Sequence, residues 1–455
     1  MRKKLFAAFL LLGLSLGFLC GAHFQVGAAA DQVEITQTDL LGDPAALEGL
    51  VLDLATYGDH GRHLRWDTRC AFTGGLSTQS QFTYHQTPDP WERFGDSGQI
   101  LYDMPSTSYS ISTTGFLDLA GDERELRYSN LFVLPMIDVA SRAPADSSYT
   151  EQVRIRDYYD FFPLSVNFRL LLSGRYTYEE EVRLSDTLSA LFQVPVPEDL
   201  MLEITVTTDE LGRPVEIQSN PVEPDPGSYW IDTFCANTGD ALYFTANCRV
   251  DDYDQPPIIP EAPGGYGLYT IPLEEGRLRA ENLDRLALAY PIDPQRAWIL
   301  ALEPTEDGSR LLLVTQEEGR AVLTVIDRAT MEDIQRLELF PVCYEEDNYV
   351  VFSELYAFSG CLLLHDTEGN FLLLAGDGSG GYEVAIRSTL RPVEAWDAGL
   401  CTDPSFAYDG QRLAAAAYDG SSRYACSFYL AVYDPSGPIY AGEYAHSQDR
   451  SSPDS

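Results

Sequence analysis

Asp307-Gly308-Ser309-Arg310-Leu311-Leu312-Leu313-Val314 and Asp409-Gly410-Gln411-Arg412-Leu413-Ala414-Ala415-Ala416 are one pattern written twice. In each, an Asp-Gly pair supplies the positive φ of a tight turn, an arginine follows, and an apolar strand begins. Ser359-Gly360-Cys361-Leu362-Leu363-Leu364 lies between the two copies, and Thr238-Gly239-Asp240-Ala241-Leu242-Tyr243-Phe244 precedes them. The shared glycines stand at 239, 308, 360 and 410, in steps of 69, 52 and 50 residues. Around Gly308 the strands read Ala297 to Leu302, Arg310 to Thr315, Ala321 to Asp327, and a more polar, outer Ile334 to Leu339. The last unit repeats the order as Ser405 to Tyr408, Arg412 to Tyr418, Phe428 to Tyr433 and Pro438 to Tyr444. Four strands in about fifty residues make one propeller blade. The expected fold is therefore an all-β β-propeller of seven or eight blades, each of four antiparallel strands, with an insertion in the N-terminal half.

The run Pro404-Ser405-Phe406-Ala407-Tyr408-Asp409-Gly410-Gln411-Arg412-Leu413, with Tyr429-Leu430-Ala431-Val432-Tyr433-Asp434 after it, resembles TolB-type β-propeller repeats. The resemblance covers two blades well, the surroundings of Gly360 loosely, and the Gly239 unit in outline. Tyr408 stands where those repeats usually carry proline. What the resemblance implies is a fold and a habit of protein binding or scaffolding; it brings no catalytic residues with it.

Arg2-Lys3-Lys4, the apolar run Leu5 to Cys20, and the small residues Gly27-Ala28-Ala29-Ala30 before Asp31 have the layout of a secretory signal. Cleavage is expected after Ala28 or Ala30. The alternative is an uncleaved anchor, because the 22 residues from Leu5 to Val26 are long enough to cross a bilayer. Cys20-Gly21 suggests a lipoprotein, but Leu19 occupies a place that needs a small residue. Residues 1–30 are read as a signal peptide or membrane anchor, and the protein as exported, extracellular or associated with the cell envelope.

The three basic residues of the leader leave 70 acids against 27 bases, a formal charge of about −43. Such a field repels nucleic acid and anionic headgroups and favours solubility, cationic partners or divalent ions. Lys3 and Lys4 are the chain's two lysines, so the exported part has no ε-amine. That excludes Schiff-base chemistry, the P-loop lysine and the Ser-x-x-Lys nucleophile. Arginine carries all the remaining side-chain positive charge and does not act as a base at neutral pH.

Past the leader stand Cys70, Cys235, Cys248, Cys343, Cys361, Cys401 and Cys426. Cys235 and Cys248 flank the first repeat glycine, and Cys401 and Cys426 flank the last. Disulfides within a blade and buried free thiols are both open readings. The odd number leaves Cys70 as the candidate unpaired thiol. No Cys-x-x-Cys supports a zinc or thioredoxin-like site.

The chain divides into residues 31–228, a β-rich N-terminal region of early blades plus an insertion or a separate domain; 229–446, blades; and 447–455, a polar disordered tail. In the first region Asp39 to Leu50 reads as a short helix with Pro44 near its start. Leu50 to Tyr57, Leu64 to Phe72 and Gln81 to Tyr84 suggest one blade, and Ser106 to Leu119 with Tyr128 to Val139 another. Ser185 to Phe192 reads as helix and Leu200 to Thr207 as an alternating strand.

Several motifs carry residue types that do chemistry elsewhere. Gly376-Asp377-Gly378-Ser379-Gly380-Gly381 has the glycines of a dinucleotide site, but the strand pattern Tyr382 to Ile386 follows it where a phosphate-binding helix is required, so it reads as a hairpin loop. Gly95-Asp96-Ser97-Gly98 resembles the serine segment of chymotrypsin-like proteases, yet His60, His63, His85, His365 and His446 lie in no matching partner motif; it reads as a turn. His60 and His63, with Asp59 and Asp67, have a metal-ligand spacing in what reads as a polar loop carrying Arg62. Asp251-Asp252-Tyr253-Asp254 and Glu345-Glu346-Asp347-Asn348 are acidic loops open to weak calcium binding, though neither is an EF-hand. Glu179-Glu180-Glu181 reads as an exposed face. The 27 tyrosines, 21 phenylalanines and 5 tryptophans follow largely from strand propensity, and exposed ones among them would suit a glycan platform.

No catalytic, cofactor-binding or metal residue is assigned from sequence. The expectation is a non-catalytic exported module that binds, senses or scaffolds a protein or glycan partner outside the cytoplasm. The competing expectation is a propeller glycoside hydrolase using two of the many carboxylates.

Overall fold

Residues 310–327 show how the repeat folds. Arg310–Glu317 and Arg320–Asp327 are paired strands in which every residue between the ends is buried. Sandwiched on both faces, they read as continuous apolar runs rather than as an alternation. Glu318 and Gly319 join them with φ of 47° and 75°, the double left-handed geometry of a two-residue hairpin. Ala297–Pro304 precedes them, and Glu332–Pro341, more exposed but with Leu339 and Phe340 buried, completes an antiparallel sheet in chain order. At the Asp-Gly turn, Asp307 accepts from the Ser309 amide (3.0 Å) and from the Thr305 and Ser309 hydroxyls. Those bonds, the Ser309 amide foremost, hold its carboxyl down at about 2.

The computed structural model describes residues 12–25, 34–58, 64–84, 100–112, 131–167, 177–222, 229–250, 258–345, 348–393, 404–418 and 427–446. The chain forms two compact units, Phe94–Phe352 and Met1–Arg93 with Ser353–Ser455.

In the Phe94–Phe352 unit a second sheet of the same order comprises Tyr229–Asn237, Ala241–Val250, Gly267–Pro272 and Ala287–Pro291. Arg328 ties the two together, donating to Thr238 Oγ1 (2.9 Å) and to Asp240. The rest of this unit departs from the blade pattern. One sheet runs Tyr109–Ser112, Pro214–Pro221, Met201–Thr208, Ser148–Arg154, out of chain order. Met201–Thr208 alternates as read, with Leu202, Ile204 and Val206 inside. Val133–Arg142, by contrast, is a helix where a strand to Val139 was expected. Val133, Met136 and Val139 share its buried face and Leu134 faces solvent, so the helical period outweighs the β-propensity of the valines. The second helix, Tyr178–Ser189, starts earlier than Ser185 because Thr177 and Glu180 form a capping box. Glu180 is thus a capping residue rather than part of a plain charged face.

Phe352–Phe358, which belongs to the other unit from Ser353 on, repeats the four-stranded order with Cys361–Asp366, Asn370–Gly376 and Tyr382–Thr389. The last sheet holds Ser405–Tyr408, Leu413–Tyr418, Ser427–Asp434 and Gly437–His446, then adds Ile35–Gly42 antiparallel to Gly437–His446. The expected helix of Asp39 to Leu50 therefore gives way to this strand and one 3-10 turn, Pro44–Leu47, capped by Asp43. Pairing with the end of the chain decides a segment whose local signals point to helix. Arg412 donates to the Ala46 carbonyl (3.0 Å) and fixes that turn to the last sheet. A further sheet, Val51–Gly58, Leu64–Phe72 and Leu76–Tyr84, has three strands among the described residues. The protein is all-β, of repeated four-stranded antiparallel sheets.

The six described cysteines are free thiols. Cys235 and Cys248 lie on neighbouring strands, but their partners are Phe244 and Ile231, which separates them by four ladder positions, about 13 Å. No disulfide spans that distance. Burial pushes both thiols up to about 12 and Cys70 to about 11. Cys401 and Cys426 lie outside the described residues. Residues 12–25 are helical, with Leu12, Leu14, Leu16 and Phe18 exposed. Among the described residues no helix is long and apolar enough to cross a membrane.

Candidate functional site

Trp230 is 55% exposed, an unusual state for a large indole on a strand. It sits near the start of Tyr229–Asn237, the first strand of its sheet, so among the described residues one side of that strand has no ladder partner in the sheet. Across the other side Trp230 pairs with Arg249, and Asp232 with Asn247. Arg249 reaches diagonally to Asp232 and grips both carboxylate oxygens, its Nη2 lying 2.9 Å from Oδ1. A planar guanidinium bound bidentately is fixed in orientation.

A cleft of about 370 Å³ opens beside this strand within the Phe94–Phe352 unit. Its second wall is Tyr102 to Thr107, and its floor includes Phe162 and Tyr229. The Tyr102 amide donates to Thr233 Oγ1 (3.0 Å), and its hydroxyl to the Leu188 carbonyl (2.9 Å). The first bond holds the short strand Leu101–Asp103 against Tyr229–Asn237, and the second ties it to the helix Tyr178–Ser189. Ser219 Oγ donates to the Thr107 carbonyl (3.1 Å), and Ser106 Oγ to that of Ser108 (2.8 Å), so the following loop is tied down as well. The Phe162 ring lies 5.3 Å from Tyr229 and 6.0 Å from Phe132. The floor is thus an extension of the core, within the size range of small-ligand sites.

The chemistry on offer is one exposed indole, two carboxylates (Asp103 and Asp232), one guanidinium, and the hydroxyls of Ser106 and Thr107. Aromatic rings pack on the apolar faces of sugars, while paired carboxylate and guanidinium groups accept and donate to hydroxyls. Among the described residues no cluster of histidine, cysteine, aspartate or glutamate has the arrangement of a metal site.

The motifs read from sequence fall elsewhere. Gly376 to Gly381 is the loop between Asn370–Gly376 and Tyr382–Thr389, with Asp377 accepting from the Ser379 (2.7 Å) and Gly381 (3.0 Å) amides. A strand follows it, as expected. Gly95 to Gly98, Asp59, His60, His63, His85, Asp251 to Asp254, Glu346 and Asp347 lie outside the described residues. Asp67 is on Leu64–Phe72, and Glu345 and Asn348 pair at the end of a short hairpin. His365 is buried, its Nδ1 3.0 Å from the Asp366 carbonyl and its ring stacked 5.9 Å from Tyr356. Phe162, the last residue of Tyr158-Tyr159-Asp160-Phe161-Phe162, joins the cleft. Sequence reasoning missed the cleft because its parts come from positions near 103, 162, 230 and 249.

No family model matches the chain, and no curated protein matches it. Solved structures similar to it include TolB from Acinetobacter baumannii, at 11% identity over 88% of this chain and 80% of that one, TM-score 0.23. The Cps50 (Swd1) β-propeller domain of Myceliophteria thermophila matches at 13% identity over 53% of this chain and 81% of that one, TM-score 0.26. A chain of the mitotic checkpoint complex matches at 11% identity and TM-score 0.24, over 46% of this chain; this chain spans less than half, 48%, of that one. Likeness at these scores carries no functional argument.

Proposed function

We propose that the protein is an exported, non-catalytic binding module whose ligand is a glycan held in the Trp230 cleft. The observation that carries the reading is the exposed indole beside an Arg249–Asp232 pair whose orientation is already set. Both walls are hydrogen-bonded in place and the floor is packed on the core, so a ligand meets a surface that needs little ordering. The leader sequence supports export, and the absence of lysine beyond it narrows the covalent chemistry available.

The test is a glycan array followed by titration of the best binder, read by intrinsic fluorescence. Trp230→Ala should weaken binding at least tenfold, about 1.4 kcal/mol, and abolish the fluorescence change. Asp232→Asn should weaken it by loosening Arg249. Binding that is indifferent to both substitutions would refute the site. Release of reducing ends during incubation would replace this reading with the hydrolase, in which carboxylates of the cleft act as acid and base.

A further inference from the structure

The charges around the Trp230 cleft are unequal. The described residues that line it carry two carboxylates, Asp103 and Asp232, against one guanidinium, Arg249. Arg249 is committed to Asp232, its Nε and Nη2 engaging the two carboxylate oxygens. An anionic ligand would have to draw it off that partner. A carboxylate offers about four lone-pair sites, and a bidentate guanidinium takes two of them. The Asp232 side chain is 27% exposed, so it keeps acceptor capacity for a ligand. Asp103 is exposed on the other wall.

The placement of the aromatic ring adds to this. Trp230 and Asp232 stand two residues apart on one strand, hence on the same face and about 7 Å apart. Spaced in this way, an indole takes the apolar face of a sugar ring while the carboxylate takes a substituent at its edge. An indole also attracts an ammonium group through the ring quadrupole. The molecule as a whole pulls in the same direction. With 70 acids and 30 bases its formal charge is −40. Such a field concentrates cations at the surface and depletes glycans that carry carboxylate or sulfate groups.

We propose, resting on the glycan reading of this cleft, that the ligand carries free amines, as an oligomer of 2-amino-2-deoxy sugars does. One ammonium donates to Asp232 beside Arg249, the apolar face of the same sugar lies on Trp230, and the ammonium of a neighbouring sugar meets Asp103 across the cleft. N-acetylation removes those charges and leaves both carboxylates without a cationic partner from the ligand.

Two tetramers, one of glucosamine and one of N-acetylglucosamine, differ only at the amines and test the proposal on the full chain by titration calorimetry. The amine form should bind about tenfold more tightly at low salt, a difference of about 1.4 kcal/mol. That advantage should fade toward about 1 M salt, where the screening length is about 3 Å. Asp103→Asn should cut it roughly threefold, the size of one exposed ion pair, and Asp103→Glu should restore it. Spermine, cationic but without a sugar ring, should compete poorly. Equal affinity for the two tetramers, both lost in Trp230→Ala, would overturn the amine requirement and leave the glycan site standing. Amine binding that survives Trp230→Ala, or that spermine displaces fully, would be attraction to the acidic surface at large and would overturn it as well. If no glycan of any charge binds, the cleft reading fails and this inference fails with it.

Discussion

Tyr440→Phe and Tyr444→Phe should be strongly non-additive. Both tyrosines are fully buried on Gly437–His446, and their hydroxyls lie 2.8 Å apart. Tyr440 also donates to Asp39 Oδ1 (2.7 Å) on Ile35–Gly42, the strand that the start of the chain adds to the last sheet. Removing the Tyr440 hydroxyl loses the bond to an exposed carboxylate, about 1 kcal/mol, and strands the Tyr444 hydroxyl in the core, about 1–2 kcal/mol more. The expected cost is about 2–3 kcal/mol. Removing the Tyr444 hydroxyl leaves Tyr440 bonded to Asp39 and costs about 1 kcal/mol. In the double variant no buried hydroxyl is stranded, so the total should fall to about 2 kcal/mol, giving a coupling of about −1 to −2 kcal/mol. The rings stay packed in every variant, because Tyr444 stacks on Phe428 at 4.9 Å through carbon alone. Urea midpoints at pH 7, read by near-ultraviolet circular dichroism, supply the four corners of the cycle. Additive costs would show that the hydroxyls share no bond and would refute the account of how Ile35–Gly42 is held. The same pair sets an alkaline limit. Burial raises Tyr440 to about 12 and Tyr444 further, so their contribution is intact below pH 10 and lost as the pH rises through 12.

Two other outcomes follow from the same geometry. Cys70, Cys235 and Cys248 should be unreactive to a thiol reagent at pH 8 in the folded protein and titrate on denaturation without reductant; a disulfide between Cys235 and Cys248, found by mass spectrometry, would contradict the strand register. Asp307, held down to about 2 by the Ser309 amide and the Thr305 and Ser309 hydroxyls, stabilises its turn above pH 4 and loses that effect as the pH falls toward 2. Asp307→Ala should therefore lower the unfolding midpoint at pH 7 and leave it nearly unchanged at pH 2, and equal losses at both would show that the carboxylate is not the active group.

The Asp-Gly turns and the strands around them were legible because both signals are local. Asp307-Gly308 and Asp409-Gly410 force a chain reversal whatever surrounds them, and Arg310 to Val314 is apolar on both faces because that strand is covered on both. Residues 39–50, read as helix, and 133–139, read as strand, were misread for one reason. Ile35–Gly42 is a strand because Gly437–His446, some four hundred residues later, pairs with it, and Val133–Arg142 is a helix because its partners line one helical face. The Trp230 cleft carried no signal, since an exposed strand tryptophan looks in sequence like a buried one, and Asp103, Phe162 and Arg249 are distant from it along the chain. By itself, the chain's composition and period determined an acidic, lysine-poor, all-β repeat protein, properties that depend on residue type and spacing alone. Tertiary structure alone decided which segments pair across the chain, which thiols stay apart, and which aromatic ring stands beside an ion pair in a cleft, because each depends on distances that only the folded backbone sets.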